Sequence, residues 1–122
     1  MYTEFVKEFT ERVSQPVLMP EALSEAQVAF IDEMVRDELE ELRDADGMVE
    51  QSDAFADIIY YLLDTAVRQG WPMDQIFVAV HQANMRKITD GVNQREDGKV
   101  LKPDGWYGPE DDIEEIFEEL GR

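Results

Sequence analysis

Cysteine is absent from the 122 residues. Disulfide staples, thiol nucleophiles and thiolate zinc centres are therefore excluded, and a reducing cytoplasm is the expected setting. Histidine occurs once, as His81, with Val78 three residues before it. The Glu-x-x-His pair through which ferritin-like bundles hold iron is thus missing. No apolar stretch approaches the roughly 18 residues of a membrane span. The opening MYTEFVKEFTERV carries acids early and has no apolar centre, so neither membrane insertion nor a secretory leader is expected. Positive charge is scarce as well: 11 Lys and Arg face 29 Asp and Glu, a net charge of −18. So acidic a chain lacks the basic footprint that a DNA or RNA backbone requires, but it can accept a single nucleotide accompanied by a divalent cation.

With 43% hydrophobic residues, the chain has enough apolar material for one domain, expected over residues 1–122. The periodicity is helical nearly throughout. A first helix is expected over Thr3–Val13, ended by Ser14-Gln15-Pro16. A second runs over Glu21–Ala45, where Val28, Ile31, Val35, Leu39 and Leu42 recur at spacings of three and four. Asp46-Gly47 breaks it. A third covers Val49–Gln69 and stops at Gly70, a fourth Met73–Thr89, and an acidic fifth Glu110–Leu120. Short connections between them predict an all-α, antiparallel four- to five-helix bundle.

The segment DAFADIIYYLLD places Asp57 in the most apolar part of the chain. An ionised carboxylate in such surroundings costs several kcal/mol unless something compensates it. On the same helix Glu50, Asp53 and Asp57 fall at i, i+3 and i+7, within roughly 60° of one another around the axis. Phe55, Ile59, Leu62 and Ala66 run down the opposite side. On the preceding helix Glu38 and Glu41 are three apart and flank the Val35/Leu39/Leu42 stripe, whereas Glu40 projects elsewhere. If the two acidic faces meet, their mutual repulsion calls for a divalent cation, and hard carboxylate oxygens suit Mg²⁺, with Mn²⁺ as a substitute. Acidic pairs at helical spacing are otherwise solvated faces, the reading that fits Glu114, Glu115, Glu118 and Glu119.

Residues 90–109 break the helical pattern with four glycines and two prolines. A loop this long without structure of its own is either functional or disordered. Arg86, Lys87, Arg95, Lys99 and Lys102, five of the eleven cations, lie in or beside it, which points to an anion ligand.

Taken together, the Glu-x-x-Glu at 38–41, the segment DAFADIIYYLLDTAVRQGW, then VHQANMRK and EDGKVLKPDGW resemble the MazG-like all-α nucleoside triphosphate pyrophosphohydrolases. Phosphoribosyl-ATP pyrophosphatase and the all-α dUTPases are relatives within that superfamily. The resemblance covers about residues 5–109. It implies Mg²⁺-dependent cleavage of a (d)NTP to a (d)NMP and pyrophosphate by a metal-activated water. Glu38 and Glu41 match the first acidic pair and Asp57 the final aspartate, with Glu41 the candidate to accept the water's proton. The family pattern expects Glu three residues before that aspartate, where this chain has Ala54, so Asp53 or Glu50 is left as the fourth ligand. The resemblance further implies that Asn84 and Lys87, with His81 a turn before, face the nucleotide. Lys99 and Lys102 would reach its phosphates, Trp106 would stack as a lid, and Phe9 and Gln15 would touch the base. It also implies a bundle completed by a homodimer or homotetramer. Two other readings stand beside it: a dUTP- or dUDP-preferring all-α dUTPase, and a non-catalytic acidic helical adaptor.

Overall fold

The computed structural model describes residues 2–121, and its regular structure is helical. The helices are α1 (Tyr2–Val13), α2 (Glu25–Asp44), α3 (Gly47–Arg68), α4 (Met73–Arg86) and α5 (Glu110–Leu120). Among the described residues there is no strand, only one isolated antiparallel bridge between Gln94 and Val100. The expected all-α architecture is observed among the described residues. Packing divides the chain into two compact units, Met1–Met73 and Asp74–Arg122.

In the first unit only Ala45 and Asp46 separate α2 from α3, so the two helices double back on each other as an antiparallel pair. Helix α1 also packs on α3. Helix α2 starts at Glu25, four residues later than its apolar periodicity predicts, because Ser24 caps it. The Ser24 hydroxyl accepts from the Gln27 N–H at 3.2 Å, and the Gln27 side chain accepts from the Ser24 N–H at 2.8 Å. This reciprocal box satisfies two donors that would otherwise face solvent unpaired. Helix α3 ends as expected at Gly70, whose φ of 74° continues the chain out of the helix. The Gly70 N–H donates to the Val67 carbonyl at 3.0 Å and the Trp71 N–H to the Ala66 carbonyl at 2.9 Å, closing the last turn.

Polar ties then lock the chain around that end. Gln69, only 4% exposed, donates to the carbonyls of Glu21 and Ala22 and accepts from the Gln27 amide. The Trp71 indole donates to the Glu21 carbonyl at 2.8 Å, and the Val17 and Glu21 N–H groups donate to the carbonyls of Arg68 and Gln69. On α1 the fully buried Thr10 donates to Asp64 at 2.5 Å, and Asp64 also pairs with Arg68 at 3.1 Å. Val6, Ala54, Ala66 and Val67 complete the buried apolar set of this unit.

In the second unit Ala79 and Ala83 are the buried residues of α4. The helix stops at Arg86 rather than Thr89: the N–H groups of Lys87 and Ile88 reach back three residues, to Asn84 and Met85, in a tightening turn. Residues 90–109 have structure of their own, against the expectation of a bare loop. Arg95 and Lys99 pair through the backbone at 2.8 Å, the Leu101 N–H donates to the Asn93 carbonyl at 2.8 Å, and Asp97 holds both the Arg95 guanidinium and the Lys99 N–H. Short-range hydrogen bonds replace the helical ladder there, and no period-two pattern announces them.

Candidate metal centre

Three carboxylates from two helices meet in the first unit. Glu38 and Glu41 of α2 and Asp57 of α3 each offer an oxygen, and these oxygens lie within 4.8 Å of one another. The α2–α3 pairing brings them together, and their environments differ. Glu38 is 8% exposed, Asp57 is half-buried and Glu41 faces solvent. Burial, aided by a hydrogen bond and charge repulsion from Glu41 and by the charges of Asp57 and Asp53, pushes the Glu38 carboxyl up to about 7. Burial first, then Asp53 and Glu41, push Asp57 upward too. The buried Oε2 of Glu38 has no hydrogen-bond partner among the described residues. An orphaned buried acceptor is costly, and either a proton or a cation relieves it. Three converging hard oxygens, on carboxylates one of which also carries an unpartnered buried oxygen, fit a divalent cation of the Mg²⁺ or Mn²⁺ type.

A cation held there would give Asp57 the compensation that its apolar setting demands. The other two acids expected beside it stand apart from the trio. Asp53 is exposed and acts on Glu38 and Asp57 through its charge. The Glu50 carboxylate accepts from the Asp46 N–H at 2.7 Å, serving the start of α3. Both line an acidic groove of about 580 Å³ with Ala54 and with Asp37, Glu40, Glu41 and Asp44 of α2. Glu40, expected to project elsewhere, thus borders the same space as Glu41. The spacing of 37, 40, 41 and 44, at i, i+3, i+4 and i+7, is the sequence signal for that acidic stripe.

The expected nucleotide-facing residues lie in the second unit. Asn84 and His81 are exposed on α4, and Lys99 sits on the turn of the 93–101 segment. Lys87 and Lys102 converge on Trp106, their ammonium nitrogens 5.2 and 5.0 Å from its ring centre. The Trp106 indole donates to the Ala83 carbonyl at 2.8 Å, so the ring is pinned to α4 and half-buried. Two of the five clustered cations have structural partners. Arg86 donates to the carbonyls of Tyr107 and Gly108 and stacks 4.0 Å over the Tyr107 ring, and Arg95 pairs with Asp97. In the first unit, Phe9 packs edge-on against Tyr60 at 5.6 Å.

An all-helical chain carrying a carboxylate cluster on a helical pair belongs to a broad class of acidic helical proteins whose carboxylates could hold a divalent cation. Comparison with known families narrows it. The family model for phosphoribosyl-ATP pyrophosphohydrolase matches residues 3–84, more than half of the chain. The chain belongs to that family, and with it to the MazG-like all-α NTP pyrophosphohydrolase superfamily. No curated protein matches. The matched residues contain all three clustered acids. The class of activity is that of a pyrophosphohydrolase.

Proposed function

We propose that the protein is a Mg²⁺-dependent nucleoside triphosphate pyrophosphohydrolase that cleaves (d)NTP between the α and β phosphates, releasing (d)NMP and pyrophosphate. The observation that carries this reading is the Glu38/Glu41/Asp57 trio with its unpartnered, buried Glu38 oxygen. These three carboxylates would hold the cation, with Asp53 or Glu50 supplying further negative charge from the groove. A divalent cation there supplies charge neutralisation for the polyphosphate and acidifies water for attack on phosphorus. Glu41, the exposed member of the trio, takes the proton of the attacking water, a role open to a carboxylate that solvent and substrate can both reach. Glu38 anchors the site from inside the helical pair. In the second unit Asn84, Lys87, Lys99 and Lys102 bind the nucleotide, the lysines through its phosphate oxygens.

A second reading of the substrate is phosphoribosyl-ATP, favoured by the family description itself. It shares the scissile α–β linkage and the same three acids, so the choice concerns recognition rather than chemistry. Incubation of the purified protein with a panel of dNTPs, dUTP and phosphoribosyl-ATP in Mg²⁺ tests both readings. Monophosphate plus pyrophosphate is the expected product, and kcat/KM across the panel ranks the substrates. Orthophosphate as the sole product would overturn the proposal.

We also infer a homodimer or homotetramer. Phe55, Ile59 and Leu62 of α3 are 59, 43 and 47% exposed, and Tyr2 and Phe5 of α1 are 64 and 60% exposed. With Val6, Tyr60 and Leu63 most of these line an apolar groove of about 330 Å³. So much uncovered apolar surface on two adjacent helices is characteristic of an interface.

A further inference from the structure

In the second unit, two lysines meet at one aromatic ring. Lys87 follows α4 and Lys102 lies fifteen residues further along, yet both ammonium groups are within 5.2 Å of the Trp106 ring centre. They therefore lie no more than roughly 10 Å apart. Like charges so placed repel, and a chain with a net charge of −18 has ample acid elsewhere to pair them. The indole opposes that repulsion, because its negative π face attracts a cation. The ring cannot follow the lysines outward: its N–H is held by the Ala83 carbonyl at 2.8 Å, and Ala83 is buried in α4. Trp106 is thus a fixed post, and its pinned edge leaves it poorly placed to swing over a base.

We propose that Trp106 is a positioning residue that holds Lys87 and Lys102 as a preformed cationic clamp for the phosphate oxygens of the substrate and of the pyrophosphate product. This rests on the proposed function and deepens it. A lysine side chain is a flexible point charge that loses considerable rotamer freedom on binding an anion. Holding two of them against one ring removes part of that loss beforehand, which strengthens binding without altering the reacting groups. The clamp therefore acts on substrate capture, and its removal raises KM more than it lowers kcat.

The test reads anion binding directly, without metal or turnover, so it succeeds or fails independently of the carboxylate site. The chain contains only two tryptophans, Trp71 and Trp106. In the full-length protein labelled with 5-fluorotryptophan, inorganic pyrophosphate is titrated in the presence of a chelator, with Trp71→Phe used to assign the two fluorine signals. The Trp106 signal is expected to shift saturably while that of Trp71 stays in place. Lys87→Gln and Lys102→Gln should each weaken binding about tenfold, as should Trp106→Leu, whereas Trp106→Phe, which keeps a π face but loses the N–H that pins the ring, should weaken it about threefold. With nucleotide and Mg²⁺, Trp106→Leu should raise KM by a similar factor and leave kcat nearly unchanged. A Trp106 signal that pyrophosphate does not move would overturn the clamp, as would lysine variants that bind it like the parent. If Trp106→Leu fails to fold by circular dichroism, the two lysine variants and Trp106→Phe decide the matter. Retained metal-dependent hydrolysis alongside a negative titration would sink the clamp and leave the proposed function standing.

Discussion

At the scale of single residues, the acidic trio sets a conflict that protonation and metal binding resolve in opposite ways. Glu38 is raised from an ordinary value of 4.5 to about 7, and Asp57 is raised as well. Between those limits the metal-free folded state binds more protons than the unfolded chain, so stability falls as pH rises through the window from about 4.5 to about 7. The metal-free protein should accordingly melt at a higher temperature near pH 5.5 than near pH 8, and Glu38→Gln should flatten that dependence in differential scanning calorimetry. A cation needs the deprotonated carboxylates, so its effect runs the other way. The thermal shift produced by Mg²⁺ or Mn²⁺ should be larger at pH 8 than at pH 6. Glu41→Gln and Asp57→Asn should each lower kcat by at least about a hundredfold while far-ultraviolet circular dichroism stays unchanged. Full activity in both would remove the site assignment.

At the scale of elements, the ends of α2 and α3 carry much of the local specificity. Gly70 adopts a φ of 74°, and a Cβ there would lie 3.3 Å from Val17 Cγ2 and 3.4 Å from the Pro20 backbone. Gly70→Ala combines left-handed strain with crowding against the 14–24 connection, and urea denaturation should show a loss of about 1–2 kcal/mol. Ser24→Ala removes one half of the capping box and should cost about 1 kcal/mol in the same assay. Both ends converge on Gln69, whose amide satisfies two carbonyls of the connection that leads into α2. Gln69→Leu removes the amide donor from both carbonyls, of which that of Glu21 keeps the Trp71 indole, and should cost about 1–2 kcal/mol. The late start of α2 follows from the same residues: the backbone of Glu21 and Ala22 is engaged with Gln69 and Trp71 instead of a helical ladder.

At the scale of the whole molecule, charge and apolar surface pull in different directions. A net charge of −18 keeps chains apart at long range, while the exposed aromatic and aliphatic side chains of α1 and α3 favour burial against another copy. Raising the salt concentration until the Debye length falls to about 8 Å should therefore strengthen assembly, as read by light scattering after size exclusion. Phe55→Glu, placed in the apolar groove, should shift the population to monomer under the same conditions. Unchanged mass for that variant would place any interface elsewhere.

Much of this protein was legible from its residues in order. Helical periodicity located the five helices of the described residues, Gly70 marked the end of α3, and an aspartate amid Phe55, Ile58 and Ile59 singled out position 57. Periodicity serves here because each helix repeats one physical requirement, an apolar face, at a spacing set by the backbone alone. The carboxylate set was less legible. Glu50 and Asp53 share a face with Asp57, and helical spacing cannot tell which acids meet; the pairing of α2 with α3 brings oxygens of Glu38, Glu41 and Asp57 within 4.8 Å of one another. Nor did the pattern show that Glu50 would serve the backbone of Asp46, or that Trp106 would be tied to Ala83, a residue 23 positions away. Contacts between residues far apart in the chain leave no period behind them, and it is such contacts that gathered the acids of α2 and α3 in the first unit and, separately, two lysines at Trp106 in the second.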